Sequence, residues 1–153
     1  MKLSSDVFEN NKTIPSKYTC DGEDISPPLK IEDVPETAKS LALICDDPDA
    51  TIGTFVHWVI YNIPAGTKKI KENIPKTKKL ADGSQQGITD FGSVSFGYGG
   101  PCPPSGTHRY FFKLYALDKS LIFESAATKS QLETAMQGHI IEESNLIGLY
   151  KRK

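Results

Sequence analysis

The sequence predicts a mainly β domain with one or two short helices near its C-terminus, and two observations support this fold class. The 153 residues include 12 glycines and 10 prolines, more than a helical bundle carries and typical of strands joined by many turns. Several apolar segments of strand length are rich in aromatic and β-branched residues. About 150 residues usually form one domain, so we expect a single domain over residues 1–153.

Four segments are predicted as strands. They are residues 40–46 (SLALICD), 55–63 (FVHWVIYNI), 108–117 (HRYFFKLYAL) and 145–151 (NLIGLYK). In the third segment both alternating sets of side chains are largely apolar, which indicates a strand in the middle of a sheet or between two layers.

One helix is predicted near the C-terminus. Thr128 is followed three residues later by Gln131, a capping-box pattern that starts a helix. The apolar face at helical spacing then comprises Leu132, Ala135, Met136, His139 and Ile140. We therefore expect His139 at the edge of this packed face.

Three segments are predicted as irregular. Residues 19–29 (TCDGEDISPPL) and 97–106 (GYGGPCPPSG) are punctuated by glycine and proline, which interrupt regular structure. Residues 68–79 are rich in lysine and contain Pro75, so we expect a loop there.

The charge of −1 argues against a dedicated nucleic-acid-binding protein. This balance hides a segregation, because residues 21–49 hold nine acids against two lysines and residues 66–80 hold six lysines against one glutamate. We interpret both mainly as solvated loops. The alternative is that part of the acidic cluster belongs to a site.

The sequence predicts a cytoplasmic protein without a transmembrane segment. The N-terminus has no apolar leader, and the longest apolar stretch, 55–63, is shorter than the ~20 residues that span a bilayer. The chain has three cysteines and no zinc-like spacing. Cys20 and Cys102 both lie in turn segments, which leaves a disulfide open, but in the cytoplasm we expect reduced thiols.

Polar residues in unusual places suggest a site. Asp47 follows a buried strand, where it either caps a turn or serves a ligand. His57 lies within an apolar strand, as a satisfied core group or as part of a site. His108 and Tyr110 share one face of their strand. These four residues come from three separate segments.

Two chemistries suit this set. Imidazoles and a phenol can donate to phosphate oxygens, while a carboxylate accepts from an ammonium or hydroxyl group and favours the protonated form of nearby histidines. The glycines of residues 97–100 would let backbone N–H groups approach a ligand. A His/His/Asp metal site is the alternative, and sequence spacing leaves both open.

The same segments resemble the phosphatidylethanolamine-binding protein family, in particular its shorter prokaryotic branch. The matching motifs are CDGEDISPPL (20–29), DPDA (47–50), HWVIYNIP (57–64), GYGGPCPPSGTHRYFFKLYALD (97–118) and GHIIEESNLIGLY (138–150). They cover essentially the whole chain.

The resemblance implies an antiparallel β-sandwich of a large and a small sheet, with short C-terminal helices and an anion pocket near one edge. The pocket positions that it assigns are Asp47, Asp49, Phe55, His57, Gly100, Pro104, His108 and Tyr110. One motif departs from the family, since Thr51 stands where a proline is common. The C-terminal pocket tyrosine of the longer members has no counterpart to which it can be carried over.

We therefore expect a non-enzymatic protein that binds phosphate-bearing ligands, such as a phosphoethanolamine-like headgroup or a phosphorylated residue, without a cofactor or a metal. One alternative is a protein-interaction role as a kinase or serine-protease inhibitor. A metal-dependent enzyme is the other. The fold also allows a homodimer through a sheet face.

Overall fold

The computed structural model describes residues 1–92 and 95–152. Its strands are β1 (Lys2–Ser4), β2 (Lys12–Thr13), β3 (Leu29–Glu32), β4 (Ser40–Asp47), β5 (Phe55–Pro64), β6 (Lys69–Ile70), β7 (Gln85–Gln86), β8 (His108–Leu117) and β9 (Ile140–Tyr150). The α-helix α1 spans Lys129–Met136, and a short 3-10 helix spans Ser16–Tyr18.

The strands form the two sheets that the resemblance implied. The small sheet has the order β1-β3-β6, and the large sheet has the order β2-β9-β8-β4-β5-β7. Neighbouring strands are antiparallel, except that β2 runs parallel to β9. The prediction of a β-sandwich with a large and a small sheet is confirmed.

The large sheet is covered on both faces. One face carries Leu43, Trp58 and Phe112 and packs against the small sheet. The other carries Ile44 and Val59 and packs against α1 and the segment before it. Two-sided burial explains why all eight residues of β4 are buried and why its sequence is nearly continuous in apolar character.

The predicted strands are confirmed with small changes of boundary. Segments 40–46 and 55–63 form β4 and β5, and segment 108–117 forms β8. As its two apolar faces predicted, β8 lies inside the sheet, between β4 and β9. The last strand begins at Ile140, five residues earlier than predicted.

The helix begins as predicted and ends earlier. The Thr128 hydroxyl accepts from the Gln131 N–H, and the Gln131 side chain accepts from the Thr128 N–H. The expectation that His139 and Ile140 share the helix face is wrong, because α1 ends at Met136. Gly138, with φ of +78°, turns the chain and Ile140 starts β9.

Two further expectations are wrong. The lysine-rich segment is not entirely loop, because Lys69 and Ile70 form β6 and pair with Lys30 and Leu29 of β3. Cys20 and Cys102 are not free thiols but form a disulfide across 82 positions of sequence. Residues 19–29 pack against residues 97–106 in the tertiary structure. The Cα atoms of Cys20 and Cys102 therefore lie 5.5 Å apart, within the range of a disulfide.

Over the described ranges 1–92 and 95–152, no helix is long and apolar enough to cross a membrane.

A tight contact behind β8 provides a test of the packing. Gly148 pairs with Tyr110, and a Cβ there would overlap the Ile14 side chain and lie 2.9 Å from Phe8. Overpacking of this kind typically costs about 1–3 kcal/mol. We expect Gly148→Ala to lower the free energy of unfolding by that amount in urea denaturation.

Gly66→Ala is the matched control, because a Cβ at Gly66 meets nothing within 4 Å. It should change stability by no more than about 0.5 kcal/mol. Equal stability of the two variants would contradict this account of the core.

Candidate functional site

The site lies at one end of three neighbouring strands of the large sheet. β4 ends at Asp47, while β5 begins at Phe55 and β8 begins at His108. Because β4 is antiparallel to both neighbours, the end of β4 lies beside the starts of β5 and β8. Polar residues from three distant segments are thereby brought together.

A β-bulge orients His57. Cys45 of β4 pairs with Trp58, and Asp46 pairs with Val56, so His57 is an extra residue on β5. Val56 faces the helix side of the sheet, whereas His57 and Trp58 both turn to the side of the small sheet. Bulges are common beside functional sites because they redirect a side chain in this way.

His57 and Gly99 are joined by two hydrogen bonds. The His57 Nδ1–H donates to the Gly99 carbonyl oxygen at 2.7 Å, and the Gly99 N–H donates to the His57 carbonyl oxygen at 3.0 Å. In this tautomer, Nε2 is the ring nitrogen left for a ligand. The loop 97–106 is thus fastened directly to the bulge.

Asp47 holds His108. The Asp47 Oδ2 lies 2.6 Å from the His108 Nδ1, and its Oδ1 accepts from the Asp49 N–H at 2.7 Å. Both members of the pair are buried. The carboxylate therefore fixes the orientation of the imidazole.

Asp49 holds the turn that follows β4. It forms a bidentate pair with the Arg109 guanidinium, with both N–O distances at 2.9 Å, and accepts from the Arg109 N–H at 3.0 Å. The guanidinium lowers the pKa of Asp49 to about 2. The 47–54 turn is thereby tied to the start of β8.

A cavity of about 360 Å³ opens between these elements. Its polar wall is formed by Asp47, His57, His108 and Tyr110, and the other lining residues are Ala50, Thr51, Ile52, Gly53, Thr54, Phe55, Phe91, Cys102, Pro103 and Pro104. This volume lies within the range of about 300–1,000 Å³ common for small-ligand sites.

Six of the eight predicted site residues line the cavity, and the other two lie behind it. Asp49 is turned toward Arg109. The N–H of the buried Gly100 donates to Asp24 Oδ1 at 2.7 Å, and a Cβ there would lie 2.5 Å from the Tyr18 carbonyl oxygen. The expectation that loop glycines offer N–H groups to a ligand is wrong for Gly99 and Gly100, whose N–H groups are used inside the protein.

Burial determines the protonation of His57. The desolvation of its buried ring lowers its pKa, and this effect exceeds the opposing influences of the Gly99 hydrogen bond and the Asp47 charge. The Asp47 charge raises the pKa of His57, as a nearby carboxylate was expected to do, but the expectation of a net rise is wrong because desolvation is the larger effect. His57 is neutral at pH 7 and gains its charge only at lower pH.

Tyr110 provides a neutral phenol. Burial raises its pKa well above the ordinary value of 10.0, and the charge of Asp47 adds to the effect. The ring lies edge-on to His57, with centroids 5.2 Å apart. Tyr110 therefore remains a hydroxyl donor throughout the physiological range.

The histidine contacts bear on the metal alternative. Asp47 and the Gly99 carbonyl each bond the Nδ1 of a histidine and leave its Nε2 open, which is also how a metal-ligating histidine is held. Among the residues that the structure describes, no group of three His, Cys, Asp or Glu side chains is placed to hold a metal ion.

Sequence reasoning missed part of the apolar rim. Phe91 packs edge-on against Phe55 and His57, with centroids 4.9 and 5.3 Å apart, and Ile52 is fully exposed at the mouth. Ile52 follows the DPDA motif closely and could have been suspected from that position. Phe91 comes from a segment without any distinguishing pattern.

The chain was compared with known proteins. The family model of the phosphatidylethanolamine-binding protein matches residues 4–151. A UPF0098 protein of Methanothermobacter thermautotrophicus is 55% identical over 152 residues, covering 99% of both chains. A UPF0098 protein of Aquifex aeolicus is 52% identical, covering 99% of this chain and 89% of the relative.

Solved structures agree. The crystal structure of a phosphatidylethanolamine-binding protein homologue from Chlamydia trachomatis superposes with a TM-score of 0.91 at 41% identity, covering 99% of this chain and 97% of the homologue. E. coli YbcL, described as a member of the mammalian family, gives 0.89 at 29% identity, with 99% and 98% covered. Sequence motifs, sheet order and these matches agree, and the chain belongs to the phosphatidylethanolamine-binding protein family.

Proposed function

We propose that this protein is a non-enzymatic binding protein for small phosphate-bearing ligands. The observation that carries the proposal is the convergence of two imidazoles and a phenol, those of His57, His108 and Tyr110, on one wall of a single cavity. The Tyr110 phenol can donate to a phosphate oxygen as it stands, and an imidazole whose Nδ1–H is already used donates through Nε2 when it carries a second proton. Membership of the phosphatidylethanolamine-binding protein family supports a binding role.

The charge of the cavity wall favours a ligand that carries a hydrogen-bond donor beside its phosphate group. Among the described residues that line the cavity, none is lysine or arginine, and Asp47 contributes a buried carboxylate. A bare polyanion would meet this carboxylate without a compensating fixed cation. A ligand with an ammonium or hydroxyl group beside its phosphate can donate to acceptors on this wall.

The rim of the cavity favours a ligand that carries an apolar or aromatic group beside its phosphate. Phe55 and Phe91 form one side of the mouth, and Ile52 and Pro104 stand exposed beside it. Exposed apolar side chains around a polar floor are typical of a ligand site. Aromatic faces there can also contact an ammonium group.

Phosphoethanolamine titration followed by histidine NMR tests the site. The chain has three histidines, of which His57 and His108 line the cavity and His139 pairs with Asp118. We expect the ring signals of His57 and His108 to shift and those of His139 to stay in place. His139 is therefore an internal control within the same spectrum.

Substitution should reproduce this pattern. Because a hydrogen bond to a charged group contributes about 1.5–3 kcal/mol, we expect His108→Asn to weaken phosphoethanolamine binding at least about tenfold. His139→Asn should leave the affinity unchanged. Titration without shifts at His57 and His108, or equal affinities of the two variants, would rule out this site.

The pH dependence follows from the burial of His57. The pKa of His57 lies below the ordinary 6.5, so the ring is neutral near pH 8 and takes up a proton only as the pH falls below 6.5. Sulfate keeps its charge from about pH 8 to about pH 4, and its affinity should change little above pH 6.5 and rise as the pH falls through the lowered pKa, because a neutral ring becomes a cation. Calorimetry over this range provides the measurement.

The comparison variant is His57→Gln, measured over the same range. It retains Asp47, His108 and Tyr110 in the wall, so any slope that remains belongs to those groups. We expect a flatter profile than in the wild type, and the same slope in both proteins would show that His57 does not take up the proton.

A further inference from the structure

The disulfide lies at the edge of the cavity. Cys102 is exposed and lines the cavity wall, whereas Cys20 is half-buried on the neighbouring segment. Its position distinguishes this disulfide from one enclosed in a core, because a reductant can approach the Cys102 side from the solvent.

Hydrogen bonds anchor residues 98–101 of the cavity loop to the rest of the fold. The Tyr98 hydroxyl donates to the Tyr18 carbonyl oxygen at 2.7 Å, and Gly99 pairs with His57. The Gly100 N–H donates to Asp24, and the Pro101 carbonyl oxygen accepts from the Cys20 N–H at 3.1 Å. None of these contacts involves the disulfide sulfur atoms.

At Cys102 the covalent anchor is the disulfide, beside a hydrogen bond between the Cys102 backbone and the Tyr110 phenol. Pro103 and Pro104 follow directly and form part of the cavity wall. The chain then passes through Gly106, with φ of +69°, before β8 begins at His108. The position of the proline wall therefore depends on what holds Cys102.

We propose that the Cys20–Cys102 disulfide is a thiol–disulfide exchange site for a dithiol reductant, and that its reduction weakens ligand binding in the adjacent cavity. The second half of this inference rests on the proposed function, while the exchange itself does not.

The exchange balances with a dithiol as the reductant. One thiolate of the reductant attacks the Sγ of the exposed residue Cys102 and expels the Cys20 thiolate, which takes a proton from the solvent. The second thiol of the reductant, as its thiolate, then attacks the reductant sulfur that is bonded to Cys102 in the mixed disulfide. This step releases the Cys102 thiolate, which is protonated in turn. The protein gains two electrons and two protons, and the reductant becomes a cyclic disulfide.

Reduction changes the cavity because it frees the part of its wall that is formed by Pro103 and Pro104. With Cys102 released, residues 102–107 sample other positions, and only a fraction of molecules keep Pro103 and Pro104 in the binding geometry. Because apparent affinity scales with that fraction, a competent fraction of about one tenth weakens binding roughly tenfold.

Cys45 is a reference within the same chain. It is buried in β4, and burial raises the pKa of its thiol well above the ordinary value. A thiol of this kind is inert toward alkylation in the folded protein, so labelling of the native protein reports on Cys20 and Cys102.

Alkylation under native conditions tests the exchange. The protein is incubated with dithiothreitol, treated with iodoacetamide without denaturant, and analysed by peptide mass spectrometry. We expect alkylation of Cys102 after dithiothreitol and none without it, while Cys45 stays unlabelled. A Cys102 that remains unlabelled after dithiothreitol overturns the exchange site.

Phosphoethanolamine titration of three proteins tests the coupling: the oxidised wild type, the dithiothreitol-reduced wild type and the double variant Cys20→Ser/Cys102→Ser. We expect the latter two to bind roughly tenfold more weakly than the first, and dithiothreitol to leave the double variant unchanged. If the double variant does not fold, the reduced wild type decides, with its fold checked by the His139 signal.

The outcomes separate the two proposals. Equal affinity of the oxidised and reduced wild type overturns the redox control and leaves the proposed function standing. Absence of binding in the oxidised protein overturns the proposed function and the redox control of binding, and the alkylation result still decides the exchange site.

Discussion

The paired hydrogen bonds between His57 and Gly99 join the large sheet to the loop 97–106 and fix the orientation of the His57 imidazole, and the site depends on all three. They exist because the bulge in β5 leaves His57 without a partner on β4, so its backbone carbonyl is free to accept from the loop. The loop in turn accepts the ring N–H through the Gly99 carbonyl. Without the bulge, strict alternation would place either His57 or Trp58 on the opposite face of the sheet. Sheet, loop and imidazole orientation therefore share one local irregularity.

The antiparallel order of the large sheet places the chemistry at one edge. The middle of β4 is buried on both faces, and a polar side chain there would need a partner inside the core. Asp46 shows what this requires, because its buried carboxylate accepts from Lys113 at 3.1 Å and Lys129 at 2.7 Å on the helix side. One residue further, Asp47 points to the opposite face and pairs with His108. The carboxylate of Asp46 thus binds two lysines on the helix side of the sheet, whereas that of Asp47 binds a histidine at the cavity.

Burial and charge act in opposite directions in the cavity wall. Asp47 would favour a proton on His57, but the desolvation of the buried ring outweighs this attraction. The result is a wall with a carboxylate, the neutral imidazole of His57, the imidazole of His108 held by Asp47, and a neutral phenol. Without a lysine or arginine among the described lining residues, this wall is poorly suited to a bare polyanion. The Cys20–Cys102 disulfide adds a constraint of a different kind. It acts on the position of the wall, whereas the titratable groups act on its charge.

The sequence alone determined the four long strands, the helix start and most of the site. β4, β5 and β8 were predictable because their apolar character is continuous, and α1 was predictable from the reciprocal Thr128–Gln131 cap. His108 and Tyr110 were assigned to one face correctly, since a regular strand has a period of two. The family motifs supplied Asp49 and Gly100, although neither reaches the cavity in the structure.

Only the tertiary structure decided the remaining features. Sequence patterns describe neighbours along the chain, whereas the disulfide, the Phe91 wall and the Gly99–His57 pair join segments separated by 34 to 82 positions. The bulge at His57 breaks the period on which a strand prediction relies, so its orientation could not be read from alternation. The protonation of His57 depends on how completely its ring is desolvated, which is set by side chains that the fold brings from distant segments.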